Sequence, residues 1–124
     1  MSLAEELRAH LLRLGIWSLL SLVAGVVLLA RDRSSGFGAM TLGWAVVNLA
    51  IVLFALRGAS PADPEGFRRF LVFNLGLNLV WIAIGVLMWR NRGNAWVASA
   101  GAAMTLQGAV LQLLDLVLYA RTAN

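Results

Sequence analysis

The sequence predicts an all-α membrane protein, an antiparallel four-helix transmembrane bundle forming one integral domain over residues 1–124. Three observations carry that prediction. Apolar residues make up 60% of the chain, against roughly 45–50% in soluble domains, and so small a chain has no interior that would hide the excess. Only 13% of residues are charged, and they are segregated: 14–30, 39–56 and 70–89 carry no charge, and 95–120 carries only Asp115. The links between these runs are short and rich in arginine, glycine, serine and proline, which suits antiparallel neighbours.

Residues 2–12 read as an amphipathic helix. Ser2 and Glu5 have the spacing of a capping box, and Leu3, Leu7 and Leu11 share one face. This segment is expected to lie at the membrane surface and to run into the first span, with His10 solvated on its polar side. The first span, 14–30, sits between Arg13 and Arg31. A cleaved signal peptide fits poorly, because Leu28 stands where a small residue is needed and Glu5 and Glu6 spoil the basic leading region. Residues 31–38 form a polar turn, and the second span, 39–56, closes on Arg57. Asp63 before Pro64 reads as an N-cap followed by proline at the first helical position. The third helix is therefore expected to start near Pro64 and to cross hydrocarbon over 70–89. After a turn at 90–94, the fourth span, 95–120, would reach about 39 Å, beyond a hydrocarbon core of about 30 Å, so it tilts or protrudes.

The net charge of +4 comes wholly from arginine. The arginines flank apolar runs instead of building one basic face, so they read as lipid-headgroup anchors and not as a nucleic-acid surface. Arg8, Arg13, Arg57, Arg68, Arg69 and Arg121 share the side of the termini; Arg31, Arg33, Arg90 and Arg92 lie opposite. The positive-inside rule then puts both termini in the cytoplasm of a cell (inner) membrane, with dual topology the alternative on so narrow a margin. The chain has no cysteine and one histidine, which gives no disulfide, thiolate, zinc or haem site. No nucleophile–base set, phosphate loop or dinucleotide turn is visible, so no catalytic residue, metal or cofactor is expected.

The second and fourth spans resemble each other. Ala39-Met-Thr-Leu falls on Ala103-Met-Thr-Leu, and the alignment runs to Arg57 on Arg121, placing Asn48 on Gln112 and Ile51 on Asp115. A tandem repeat of two helical hairpins follows, with parallel halves related by an axis along the membrane normal.

Each span also carries a small or polar stripe at helical spacing. Ser18, Ser21 and Gly25 mark the first, Thr41, Ala45 and Asn48 the second, and Asn74, Asn78, Trp81 and Gly85 the third. On the fourth run Gly101, Thr105, Gly108, Gln112 and Asp115. In lipid such stripes turn inward, because a lone amide in hydrocarbon finds no water. The candidate polar interior is Asn48, Asn74, Asn78, Trp81, Gln107, Gln112 and Asp115. Depth counting predicts two layers, Asn74 with Asp115 and then Asn78, Gln112 and Asn48. As interhelical links these amides would contribute roughly 0.6 kcal/mol per pair and at most about 2. Asp115 is different: an acid at the bilayer centre costs about 2.5–3.5 kcal/mol on insertion scales, so it demands a role. No predicted span offers it a cation, which leaves a proton relay or a neutral hydrogen-bond donor. Trp17, Trp89 and Trp96 read as interface anchors, whereas Trp44 and Trp81 lie deeper. Ser21-xxx-Gly25, Ala39-xxx-Gly43 and Gly101-xxx-Thr105 permit close helix contact.

The runs Phe73-Asn-Leu-Gly-Leu-Asn-Leu-Val-Trp-Ile-Ala-Ile-Gly85, Gln107-Gly-Ala-Val-Leu-Gln-Leu-Leu-Asp115 and Gly43-Trp-Ala-Val-Val-Asn-Leu49 resemble a family of small four-span prokaryotic membrane proteins of unknown function. The resemblance implies the architecture and no activity; members often carry an acid where this chain has Asn78. Small multidrug transporters and fluoride channels share the size alone, since the first span holds no glutamate and no threonine-rich filter is present. Three roles are compatible with these residues. The leading one is a homo-oligomeric membrane protein binding a small amphipathic or lipid-like ligand in a polar pocket between the second, third and fourth helices. The others are a proton-linked transporter or channel using Asp115, and a structural or assembly protein.

Overall fold

The computed structural model describes residues 2–58 and 63–122. They form four helices, α1 (Leu3–Arg31), α2 (Gly36–Arg57), α3 (Pro64–Trp89) and α4 (Ala95–Thr122). Each is long and apolar enough to cross a membrane. The residues facing out are apolar too, with Phe54 83% and Leu87 69% exposed, an arrangement suited to hydrocarbon.

Local chemistry sets the helix ends. Ser2 Oγ accepts from the Glu5 N–H and donates to its carboxylate, both at 3.2 Å, so the anticipated cap of α1 is present. Ser35 Oγ accepts from Gly38 N–H at 2.9 Å, which starts α2 at Gly36, three residues ahead of the predicted run. Asp63 caps α3 with Pro64 in its first turn, and Asn94 Oδ1 accepts from Val97 N–H at 3.1 Å at the head of α4. In the α1–α2 turn the Ser34 hydroxyl and N–H bond Asp32 Oδ1 at 2.6 and 3.0 Å and hold this exposed carboxyl below its ordinary range.

The segment 2–12 runs into the first span without a break and forms the first third of α1, which ends at Arg31. Its buried stripe continues through Glu6, His10, Leu14, Ser18, Ser21 and Gly25, at spacings of three and four. His10 is thus buried, not solvated. Glu6 and His10 lie buried on the same inward side as Leu11, with Leu7 partly buried against the core, so the polar and leucine stripes face the bundle together.

Packing is uneven. α3 packs extensively on α4, α1 on α2 and, less broadly, on α4, and α2 runs parallel to α4 in contact with it. No such seam joins α2 to α3, which meet through the Trp44 and Trp81 rings, 5.8 Å apart and at 69°. Two of the small-residue motifs mark the tight seams. A Cβ on Gly25 would meet Leu42 N at 2.8 Å, and one on Gly85 would meet Thr105 N at 2.7 Å. Gly43, in the third motif, faces nothing within 4 Å.

Candidate functional site

The missing seam between α2 and α3 leaves a cavity of about 720 Å³, within the roughly 300–1,000 Å³ of small-molecule sites. α2 and α3 form its sides; Leu7, His10, Leu11 and Leu14 of α1 and Leu111, Asp115 and Leu118 of α4 form its floor. Trp44 and Trp81 stand at its inner end, and Phe67 lines the end nearer the termini. Along α3 that is about 21 Å at 1.5 Å per residue. Phe54, Phe70 and Ile51 line the wall yet are more than half exposed, so the cavity is a groove open sideways between α2 and α3. Its wall is apolar apart from His10, Asn48, Asn74, Asn78 and Asp115.

Three of those five form a cluster. Asn78 Nδ2 donates to Asp115 Oδ2 at 2.7 Å, and His10 Nε2 lies 3.4 Å from Asp115 Oδ1. Asn78, His10 and Asp115 are 6%, 7% and 9% exposed, so each carboxylate oxygen faces a nitrogen in a nearly dry setting. Asn48 is only 2% exposed, and its Nδ2 has no hydrogen-bond partner. An enclosed amide donor without an acceptor costs about 1–3 kcal/mol.

The expected layering is shifted by one turn: Asp115 bonds Asn78, not Asn74. Gly108 faces Ile82, and Gly101 lies between Gly85 and Trp89, which sets the Asp115 backbone close to the level of Asn74. Helix side chains lean toward their own N-terminus. In antiparallel α3 and α4, Asn78 and Asp115 therefore lean toward each other, while Asn74 leans away. Asn74 stays half-buried on the groove wall, as does Trp81.

The two glutamines do not join this cluster. Gln107, 1% exposed, accepts from Trp17 Nε1 at 2.9 Å and donates to Ser21 Oγ at 3.1 Å, so it ties α4 to α1. Trp17 is part of an internal link and not solely an interface anchor. Gln112 is half-buried outside the groove lining, with Oε1 unpartnered. His10, Trp17 and Ser21 complete a polar seam between α1 and α4, which begins where Glu6 Oε1 and Arg121 Nη1 lie 4.0 Å apart. The stripe Glu6, His10, Trp17, Ser21 has helical spacing, and that was the signal available in the sequence. Gln107→Leu strips both bonds from a buried site and is expected to cost about 1–2 kcal/mol. A lowered apparent Tm in detergent checks this; an unchanged Tm would show the link to be idle.

The arrangement suits binding. A long apolar groove with one convergent set of polar groups orients an amphipathic molecule by its head and accommodates its tail. No group of three or more histidine, cysteine, aspartate or glutamate side chains is placed for a metal among the described residues. Among curated proteins and among solved structures, none matches this chain. A family model does match, over residues 13–116, taking in the groove from Leu14 to Asp115 and stopping short of His10 and Leu118. The chain therefore belongs to that family, a family of unknown function (DUF6992).

Proposed function

We propose that this chain is a multi-pass membrane protein of the cell (inner) membrane, with cytoplasmic termini, that holds a small amphipathic or lipid-like ligand in the groove between α2 and α3. The observation that carries the reading is the unpaired Asn48 amide on the wall of an apolar groove whose other polar groups converge on Asp115. A ligand oxygen would complete Asn48, and a ligand tail would cover Phe54, Phe67 and Phe70. His10 brings α1 into a site expected from α2, α3 and α4 alone. Proton-linked transport, the other class, would need an open polar path past Trp44 and Trp81. In that half Gly25, Gly85 and Gly101 draw the helices into contact, which favours the binding reading.

The two hairpins also read as tandem copies. Gly25 packs on Leu42 as Gly85 packs on Thr105, and Gly38 on Leu28 as Gly101 on Met88. By these contacts Asn48 corresponds to Leu111 and Val52 to Asp115, one residue out of step with the sequence alignment. On this reading the Asn78–Asp115 pair belongs to the second hairpin alone.

A dansyl-tagged single-chain amphiphile tests the binding reading through energy transfer from tryptophan. Saturable transfer is expected at about one probe per chain, with Asn48→Leu weakening binding severalfold through loss of one hydrogen bond. Transfer that never saturates, or is the same in the variant, would defeat it.

A further inference from the structure

The groove is unbalanced in charge. Among the described residues lining it, Asp115 and His10 are the titratable ones, and neither arginine nor lysine is present. Five aromatic side chains share the wall, Trp44, Phe54, Phe67, Phe70 and Trp81. Trp44 stands one turn from Asn48, and Trp81 three residues from Asn78, so the indole pair adjoins the polar cluster.

Resting on the groove reading above, we infer that the ligand is a lipophilic organic cation, an amine or quaternary ammonium bearing a hydrocarbon tail. Its head lies against Asp115 beside the Trp44–Trp81 pair. Its tail runs along Phe67 and Phe70 and leaves through the gap between α2 and α3. A carboxylate has about four acceptor sites; Asn78 takes one on Oδ2 and His10 faces Oδ1, so capacity remains for a cationic head. Aromatic faces within about 6 Å of a cation add attraction that grows as water is excluded. An anionic head would meet a carboxylate with no countercharge on the wall, and a neutral head would gain neither attraction. His10 is the internal competitor, because a protonated imidazole satisfies the same acid. Arg13, on the next turn of α1, and Glu6, on the preceding one, lie outside the lining.

The test uses the full chain in uncharged maltoside micelles, titrated separately with radiolabelled hexadecyltrimethylammonium, hexadecanol and hexadecyl sulfate. The cation is expected to bind saturably and about tenfold or more tighter than either of the others. D115N, which keeps a partner for Asn78, is expected to lose that preference, so that the cation and hexadecanol bind it within about twofold of each other. Equal binding of all three by the unaltered protein, or a cation preference surviving in D115N, overturns the cation assignment and leaves the groove reading standing. Saturable binding of none of the three overturns both. The comparison of ligands on the unaltered protein stands even where the variant fails to fold.

Discussion

Gly101→Val is expected to part α3 from α4 and to cost about 3 kcal/mol or more, the upper end of overpacking effects. A Cβ at Gly101 would collide with the backbone nitrogen of Trp89 and lie 2.5 Å from Met88 Cβ and 2.6 Å from Gly85 O. Two of those three atoms are backbone, so no rotamer change relieves the clash; α3 itself must move. Among the described residues α3 has its one extensive seam with α4, and the Trp44–Trp81 contact is too small to hold it in place. Near-ultraviolet circular dichroism on heating in detergent reads the loss of packing. Gly43→Val is the control: nothing lies within 4 Å of a Cβ there, and its effect is expected within about 0.5 kcal/mol. Equal Tm values for the two variants would contradict the packing described.

Asp115→Leu is expected to have the largest effect on ligand binding. Leucine matches the surrounding apolar wall, yet it leaves the Asn78 amide and the His10 imidazole facing no acceptor, each within a site less than a tenth exposed. Stranding such groups costs about 1–3 kcal/mol, and the polar end of the groove loses the group on which the others converge. Binding of the dansyl amphiphile should fall about tenfold or more, the equivalent of roughly 1.4 kcal/mol. Asp115→Asn separates charge from hydrogen bonding, since it still accepts from Asn78 while removing the negative charge. A leucine variant that binds as the unaltered chain does would show that Asp115 serves packing alone.

The four helices were legible because hydropathy and caps act locally. Ser2, Asp63 and Pro64 announce their helix starts without help from the fold, and Asp115 stands out in any apolar run. Gly25 and Gly101 were legible as close-contact positions for the same reason. The partners were not legible. Choosing Asn78 over Asn74 depends on the lean of side chains in two antiparallel helices and on their relative height, which only the Gly85 and Gly101 contacts define. His10 is buried because Glu6 and His10 continue the stripe of Ser18, Ser21 and Gly25 beside Leu11 and Leu14, a continuity that the pattern of 2–12 alone does not contain. Gln107 outranks Gln112 because it faces Trp17 and Ser21 on α1, a pairing across the chain that no local pattern encodes. The groove itself arises from a seam that is not made, between α2 and α3, and spacing within one helix does not report a missing neighbour.

Native mass spectrometry of the protein extracted from its membrane in mild detergent tests most directly whether the groove holds an amphiphile. The unaltered chain is expected to appear with one small adduct, released on collisional activation, and Asp115→Leu to appear mostly bare. A bare unaltered chain, or an adduct carried equally by Asp115→Leu, would contradict the assignment of the α2–α3 groove as the ligand site.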